Sequence, residues 1–408
     1  MTIDGSRLHA VLDGLSDQQI AFLAALVRVP SDNPPGDCAP HADTAADLLE
    51  RLGFTVERHP VPPDLVAANG MVSATNLIVR ERFGDGPTVA LNAHGDVVAP
   101  GEGWTRDPYG AAIEGGVMYG RGVAVSKSDF ATYAFALLAL RQMEAPLKGT
   151  VELHLTYDEE AGGAIGPQWL LESGLSTPDF AVSAGFSYQV VTAHNGCLHL
   201  EVTVSGRSAH AARPDTGHDA LEAATALLTA LYGLRADLAT VRSQVPGIDA
   251  PTLVVGLIAG GINTNVVPDK VTFRLDRRLI PEENAEQAQA AITTLLEEAA
   301  APLEGISVAV RRILLAEAFG PVPGSDRLTA AFQTAAETAF GEAVPAVGIP
   351  LYTDARHYAA AGVPTVLYGA GPHSLLDANA HRADEKLVLT DLRKATEAVA
   401  LALADLLG

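Results

Sequence analysis

Cysteine is almost missing. The 408 residues hold two, Cys38 and Cys197. Two thiols can build neither a disulfide framework nor a thiolate-only zinc site, so both are expected to be reduced, as in a cytosolic protein. Positive charge is also scarce: 27 Lys and Arg face 49 Asp and Glu, for a formal net charge of -22. With no Lys/Arg-rich run, the chain is a poor candidate for a phosphate-backbone binder and no nucleic-acid partner is expected. No stretch reaches the roughly 18 uninterrupted apolar residues of a membrane span. The longest Ala/Leu-rich runs, 130–140 and 398–407, read as buried helices. The first residues lack a basic start followed by an apolar core, so no secretory signal is read. The expectation is a cytoplasmic protein with no membrane partner. Hydrophobic residues at 48% and charged residues at 19% are an ordinary globular balance, and the length suits two domains.

Residues 5–29 carry apolar side chains at Leu8, Leu12, Leu15, Ile20, Phe22, Leu23 and Leu26, which predicts a helix, broken near Ser16. The stretch 30–37 is crowded with Pro and Gly and must be loop. Helices are predicted over 40–52, 128–143 and 165–173, and strands over 55–59, 76–80, 88–92 and 150–157. Strands alternating with helices predict a largely parallel α/β sheet. Near residue 190 the pattern changes. Leu198, Leu200, Val202 and Val204 alternate with period two, as in a half-exposed antiparallel strand. A helix (220–234), strands (252–258, 270–279), a helix (283–301) and a strand (307–312) complete a βαββαβ order, which is ferredoxin-like. The α/β pattern then resumes with a helix over 325–340, a strand over 364–368 and a helix over 390–407. The predicted organisation is an α/β catalytic domain in two parts, 1–192 and 315–408, interrupted by an inserted α+β domain, 193–314.

Four motifs could carry chemistry. His94 and Asp96 stand just past an apolar strand, where open α/β sheets place ligand sites. A histidine held by a nearby carboxylate is a sensible metal ligand with its orienting partner; a loop-capping histidine would read the same way. Asp158, Glu159 and Glu160 also follow a strand. Adjacent carboxylates repel one another, so such a cluster is costly unless a cation or a catalytic role uses it. His381 lies in a loop before the last helix, and His210 lies in the inserted domain. Each alone would read as structural.

Taken in order, these fragments resemble one family over nearly the whole chain. The shared stretches include Pro30-Ser-Asp-Asn-Pro34, His94-Gly-Asp96, Trp104-Thr-Arg-Asp-Pro108, Tyr119-Gly-Arg-Gly122 and Asp158-Glu-Glu160. They continue with Ser208-Ala-His210, the stretch 260–269, Asp276-Arg-Arg278, Thr353-Asp354 and Ala380-His381 followed by Asp384 and Glu385. The family is that of the zinc-dependent amidohydrolases and exopeptidases: acetylornithine deacetylase, succinyl-diaminopimelate desuccinylase, aminoacylase and bacterial glutamate carboxypeptidase. The resemblance implies His94 as a metal ligand oriented by Asp96, Glu159 as general base, and Glu160 and His381 as ligands of a second metal. It implies that Arg278 and Asn265 hold a substrate carboxylate. His210 would stabilise the oxyanion in a partner subunit, and the inserted domain would be a lid carrying a homodimer interface. His194, at the hinge into that domain, would touch substrate or pack the hinge.

The chain departs from the family at two positions. Aligning Gly122 and Lys127 places Val125 where the family has a metal-bridging aspartate, and Gly185 falls near the position of another carboxylate ligand. A pair of ions about 3.5–4 Å apart needs a bridging ligand, so the expectation is one divalent metal on His94, Glu160 and His381. Zinc comes first, with manganese, cobalt or iron open, since two histidines and a carboxylate also form an iron triad. Asp129, one helical turn on, could replace the lost aspartate. Lys127 could place its ammonium in the vacated space. The predicted function is hydrolysis of an amide bond in a small carboxylate-bearing substrate, such as an N-acyl amino acid or dipeptide. The alternatives are altered non-hydrolytic or metal-free chemistry on the same fold, or a non-catalytic binding protein.

Overall fold

In the computed structural model, which describes residues 3–408, the chain divides into two compact units. One comprises Met1–Thr192, Pro321–Val347 and Thr353–Gly408; the other comprises Ala193–Gly320 with Gly348–Tyr352. The second unit therefore runs past the expected residue 314 and takes in a short later segment.

The first unit is built on an eight-stranded sheet. Its spatial order is Val56–Pro60, Thr75–Arg82, Thr150–Thr156, Thr88–His94, Phe180–Ser183, Thr365–Leu367, Val190–His194 and Ala346–Ile349. The four central strands are mutually parallel and the first two neighbours are antiparallel. The 88–94 and 150–156 strands are buried on both faces after their first residue, which is why they read as apolar runs rather than alternating ones. Three short strands of this sheet, 180–183, 190–194 and 346–349, have no clear signal in the sequence. They are four or five residues long, too short to display a period.

Helix Lys127–Gln142 is buried over almost its whole length. It packs against Gly5–Val27 and Leu389–Leu407, with Phe22 and Phe135 edge to face at 5.6 Å between centroids. The Gly5–Val27 helix is unbroken, contrary to the predicted interruption at Ser16. Asp4 caps its first turn through the amides of Ser6 and Arg7 at 3.0 and 3.2 Å. Leu8, Leu12, Leu15, Phe22, Leu23 and Leu26 are all buried along it, so packing overrides the weak local preference of Gly14 and Ser16. Among the described residues this is the one helix long and apolar enough to cross a membrane by length and composition.

The second unit is α+β. Its antiparallel sheet has the order Thr252–Gly260, Lys270–Leu279, Gly196–Ser205 and Ser307–Ala316. Helices Ala220–Leu238 and Ala285–Ala300 cover one face. Leu198, Leu200, Val202 and Val204 meet Val271, Phe273 and Leu275 beneath those helices. This order of elements and of strands is the ferredoxin-like arrangement.

A polar network is built into the first unit on the 150–156 strand. Glu152 accepts from Arg80 Nε at 2.8 Å, from His154 Nε2 at 3.0 Å and from the Ser176 hydroxyl. His154 Nδ1 in turn accepts from the Tyr358 hydroxyl at 2.8 Å. Burial acts to raise the Glu152 carboxyl, but His154, Ser176 and Arg80 outweigh it and hold it down at about 2. A carboxyl depressed in the folded state stabilises above its ordinary value of 4.5 and loses that contribution as pH falls toward 2. Glu152→Gln is therefore expected to cost about 1–3 kcal/mol near pH 7. The gap from wild type should narrow between pH 5 and pH 3 in urea unfolding. A gap that is flat with pH would contradict this assignment.

Candidate active site

His94 ends the 88–94 strand and pairs in register with Thr156, the last residue of the neighbouring parallel strand. Asp158, Glu159 and Glu160 follow directly. That register brings the two motifs, more than sixty positions apart in sequence, to the carboxyl ends of adjacent strands, the usual ligand edge of an open α/β sheet.

Asp96 joins them. Its carboxylate is fully buried. It accepts from the backbone amides of Glu159 and Glu160 at 3.3 and 3.2 Å and from Asn33 Nδ2 at 3.0 Å. His94 Nδ1 lies 3.0 Å from the Asp96 carbonyl and 3.4 Å from its Oδ1. With Nδ1 committed there, Nε2 faces Glu159 Oε2 at 3.9 Å. Gly95 is required between them, because a Cβ would stand 2.5 Å from the Tyr157 ring. Ligand atoms of His94, Glu159 and Glu160 all lie within 4.8 Å of one another.

His381 completes the group from a separate loop, with Nε2 3.3 Å from Glu160 Oε1 and its side chain 51% exposed. Asn379, His381 and Asp384 all have positive φ, a costly conformation for residues with a Cβ. The loop is held by its flanks. Buried Glu385 pairs with Arg121 at 2.5 Å and accepts from the amides of Ala124 and Val125 at 3.0 and 3.3 Å. Asp384 accepts from the Thr105 amide and hydroxyl at 3.0 and 2.7 Å. Lys386–Val388 adds a strand to the hairpin formed by Ala112–Glu114 and Val117–Tyr119.

Negative charge is concentrated here. Burial, with Glu160 and Asp96 adding to it and His94 opposing, pushes the Glu159 carboxyl up to about 8. Burial and then Glu159 lift Asp354 to about 7. Burial and Asp354 raise Asp158 as well. For His94, burial favours the neutral ring, but Glu159, Asp96 and Glu160 outweigh it and raise the imidazole well above its ordinary range. Imidazole nitrogens and carboxylate oxygens converging in a field of carboxylates fit a divalent cation.

Val125 presents only an apolar side chain where the family's bridging ligand was expected. Gly185 has no room for a side chain at all, since a Cβ would be 2.7 Å from the Tyr368 amide nitrogen. Lys127 does not offer its ammonium to the vacated space. The ammonium is buried against the carbonyls of Leu26 and Val29 at 3.4 and 3.0 Å, because the end of the Gly5–Val27 helix leaves carbonyls there to be satisfied. Asp129 accepts from the Ala370 amide at 2.7 Å and is raised to about 7 by burial. In the second unit, His210 and Asn265 are brought together: Ala209–His210 pairs with Val266–Val267, and the Asn265 carbonyl accepts from Ala211 at 3.0 Å. Arg278 Nε holds Asp276 at 3.0 Å. His194 is buried, with Nδ1 2.9 Å from the Asn195 carbonyl and its ring 5.2 Å from Phe319.

Sequence reasoning gave no role to Asp354 and Arg356. Asp354 packs onto Gly163, whose added Cβ would be 2.3 Å from its Oδ1. Arg356 donates to the carbonyls of Thr353 and Gly162. The pairing of Thr353 with Asp354 ahead of a short helix was the one available signal.

A family model described as peptidase family M20/M25/M40 matches residues 90–405. Succinyl-diaminopimelate desuccinylase of Gluconobacter oxydans (strain 621H) is 31% identical over 68% of this chain and 71% of its own. The protein of the same name from Gluconacetobacter diazotrophicus is 28% identical over 98% of this chain and all of its own. Among solved structures, aminopeptidase PepT from Bacillus cereus superposes with a TM-score of 0.75 at 23% identity, covering 96% of this chain and 98% of that one. With the family matched across most of the chain and the site's donors gathered at its strand ends, the chain belongs to peptidase family M20/M25/M40 and is a metal-dependent hydrolase of C–N bonds.

Proposed function

We propose that the chain hydrolyses the amide bond of a small carboxylate-bearing substrate, an N-acyl amino acid or a dipeptide, at a centre reduced to one metal. One observation carries this reading: His94, Glu159 and Glu160 offer ligand atoms within 4.8 Å of one another, with His381 3.3 Å from Glu160. His94, Glu160 and His381 would hold the ion, zinc before manganese, cobalt or iron. When bound, a divalent cation there supplies Lewis acidity, polarising the substrate carbonyl and bringing the pKa of water toward neutrality.

The chain's own residues supply the rest. Asp96 orients the His94 ring and fixes the turn that carries Glu159 and Glu160. Glu159, whose carboxyl a bound cation would bring back down to the ionised form, takes a proton from the attacking water and returns it to the leaving nitrogen. Arg278 suits a substrate carboxylate because its planar fork binds one bidentately. Asn265 and His194 join it in binding substrate, and His210 of a second copy would donate to the oxyanion. The single-metal reading is supported by Val125, by the lack of space at Gly185, and by Lys127 and Asp129 having backbone partners.

A homodimer through the second unit is part of the proposal. Thr252–Gly260 is an edge strand exposing Val254, Leu257 and Ile258 at 52, 62 and 53%. An unprotected apolar edge is a template for a second chain. A cytoplasmic location is supported by Cys38 and Cys197 being free and buried.

Elemental mass spectrometry on E160A and H381A should show each variant losing one equivalent of metal per chain relative to wild type. Loss of two equivalents would mean a two-metal centre. Glu159→Gln should lower kcat by about 10²–10⁴-fold with little change in KM, assayed on N-succinyl and N-acetyl amino acids and dipeptides. Unchanged turnover would remove Glu159 as the base. Light scattering should find a dimer that L257D converts to monomer; a monomeric wild type would overturn that part.

A further inference from the structure

The second unit's sheet has two unlike faces. Even-numbered Leu198 to Val204 point under the helices, so odd-numbered Cys197, His199 and Glu201 lie on the opposite face. Across the ladder, His199 is paired with Asp276 and Cys197 with Arg278. Three side chains thereby converge. Cys197 Sγ is 3.2 Å from His199 Nε2 and 3.6 Å from Asp276 Oδ2, and His199 Nε2 is 2.8 Å from Asp276 Oδ2.

This is not the arrangement of a thiol nucleophile. A Cys–His–Asp relay needs the acid on one ring nitrogen and the thiol on the other. Here both meet Nε2, so no proton can pass through the ring. The spacing is instead that of the edges of a coordination polyhedron. Metal–sulfur bonds near 2.3 Å and metal–nitrogen or metal–oxygen bonds near 2.0–2.2 Å place tetrahedral sulfur–nitrogen and sulfur–oxygen pairs roughly 3.5–3.7 Å apart and nitrogen–oxygen pairs roughly 3.3–3.6 Å apart. The Cys197–Asp276 distance falls in its range, the Cys197–His199 distance is about 0.3 Å short of its own, and the His199–Asp276 hydrogen bond needs to open by about half an ångström.

We propose that Cys197, His199 and Asp276 form a metal site for a thiolate-preferring divalent ion such as zinc, on ligands other than His94, Glu160 and His381. Thiolate with imidazole and carboxylate selects zinc-like ions over magnesium or calcium. The ligands stand on two adjacent ten-residue strands, which fix their spacing. The Cys197 side chain is fully buried and aimed into the cluster. The His199 and Asp276 side chains are 36 and 29% exposed, leaving a way in for the ion and for a water as fourth ligand. Arg278 Nε, 3.0 Å from Asp276 Oδ1, orients the carboxylate so that Oδ2 faces the site, as partners behind metal ligands do.

The test uses the full chain stripped with chelator and titrated with Co²⁺. The catalytic centre has no sulfur ligand, so thiolate-to-cobalt charge-transfer absorption in the near ultraviolet reports this site alone. Two equivalents of Co²⁺ should produce the band in wild type, C38A and E160A. C197S should abolish it, and H199Q and D276N should each weaken cobalt binding at least tenfold while keeping the wild-type circular dichroism spectrum. No band in excess cobalt, a band that survives H199Q and D276N unchanged, or one lost in E160A would each overturn the proposal. The E160A arm also separates this site from the single-metal reading, since the two can fail independently.

Discussion

The carboxylate of Asp96 is the contact on which the first unit's chemistry depends. It is wholly buried, yet its oxygens are used by the amides of Glu159 and Glu160, by Asn33 and by the His94 ring. A buried carboxylate is tolerated when its lone pairs are satisfied in this way. In return it sets the direction of one imidazole and the shape of the turn beyond the neighbouring strand. Removing it would leave His94 Nδ1 with only the Asp96 carbonyl and Glu159 and Glu160 without an anchor.

Around that anchor the protein accumulates like charge that has no purpose in an isolated fold. Asp158, Glu159 and Asp354 are all raised by burial first, and then by Asp354 at Asp158, by Glu160 and Asp96 at Glu159, and by Glu159 at Asp354. His94 and Arg356 are the cationic groups set among them. Repulsion of this kind destabilises unless a cation or a transferred proton uses it. The strained 379–384 loop has the same character, with three residues at positive φ held by Glu385, Arg121 and Thr105. The second unit follows different logic: its apolar alternation builds a core on one sheet face and leaves the other to polar side chains, where Cys197, His199 and Asp276 meet.

Much of this was legible in the linear sequence. The paired apolar strands before His94 and Asp158, the period-two run from Leu198 to Val204 and the helix over 325–340 follow from local patterning, and the ordered motifs supplied the family. Short strands such as 346–349 and 180–183 were not legible, because a few residues carry no period. Ser16 looked like a helix break because propensity is local, whereas its neighbours Leu12, Leu15 and Phe22 are buried by helices far along the chain. Lys127 could be imagined in the vacated metal space because its number says nothing of direction; the free carbonyls of Leu26 and Val29 claim it.

By itself the sequence determined the supply of chemistry: which residues could ligate, which could act as base, and that Val125 and Gly185 could not. It determined the periodicities from which the two units are built, because side-chain alternation is a property of the backbone. Only the tertiary structure decided proximity. Strand register set His94 opposite Thr156 and His199 opposite Asp276, and a loop far along the chain delivered His381 to Glu160. Such distances depend on which strands pair and in what register, and burial summed over the whole core selects that pairing.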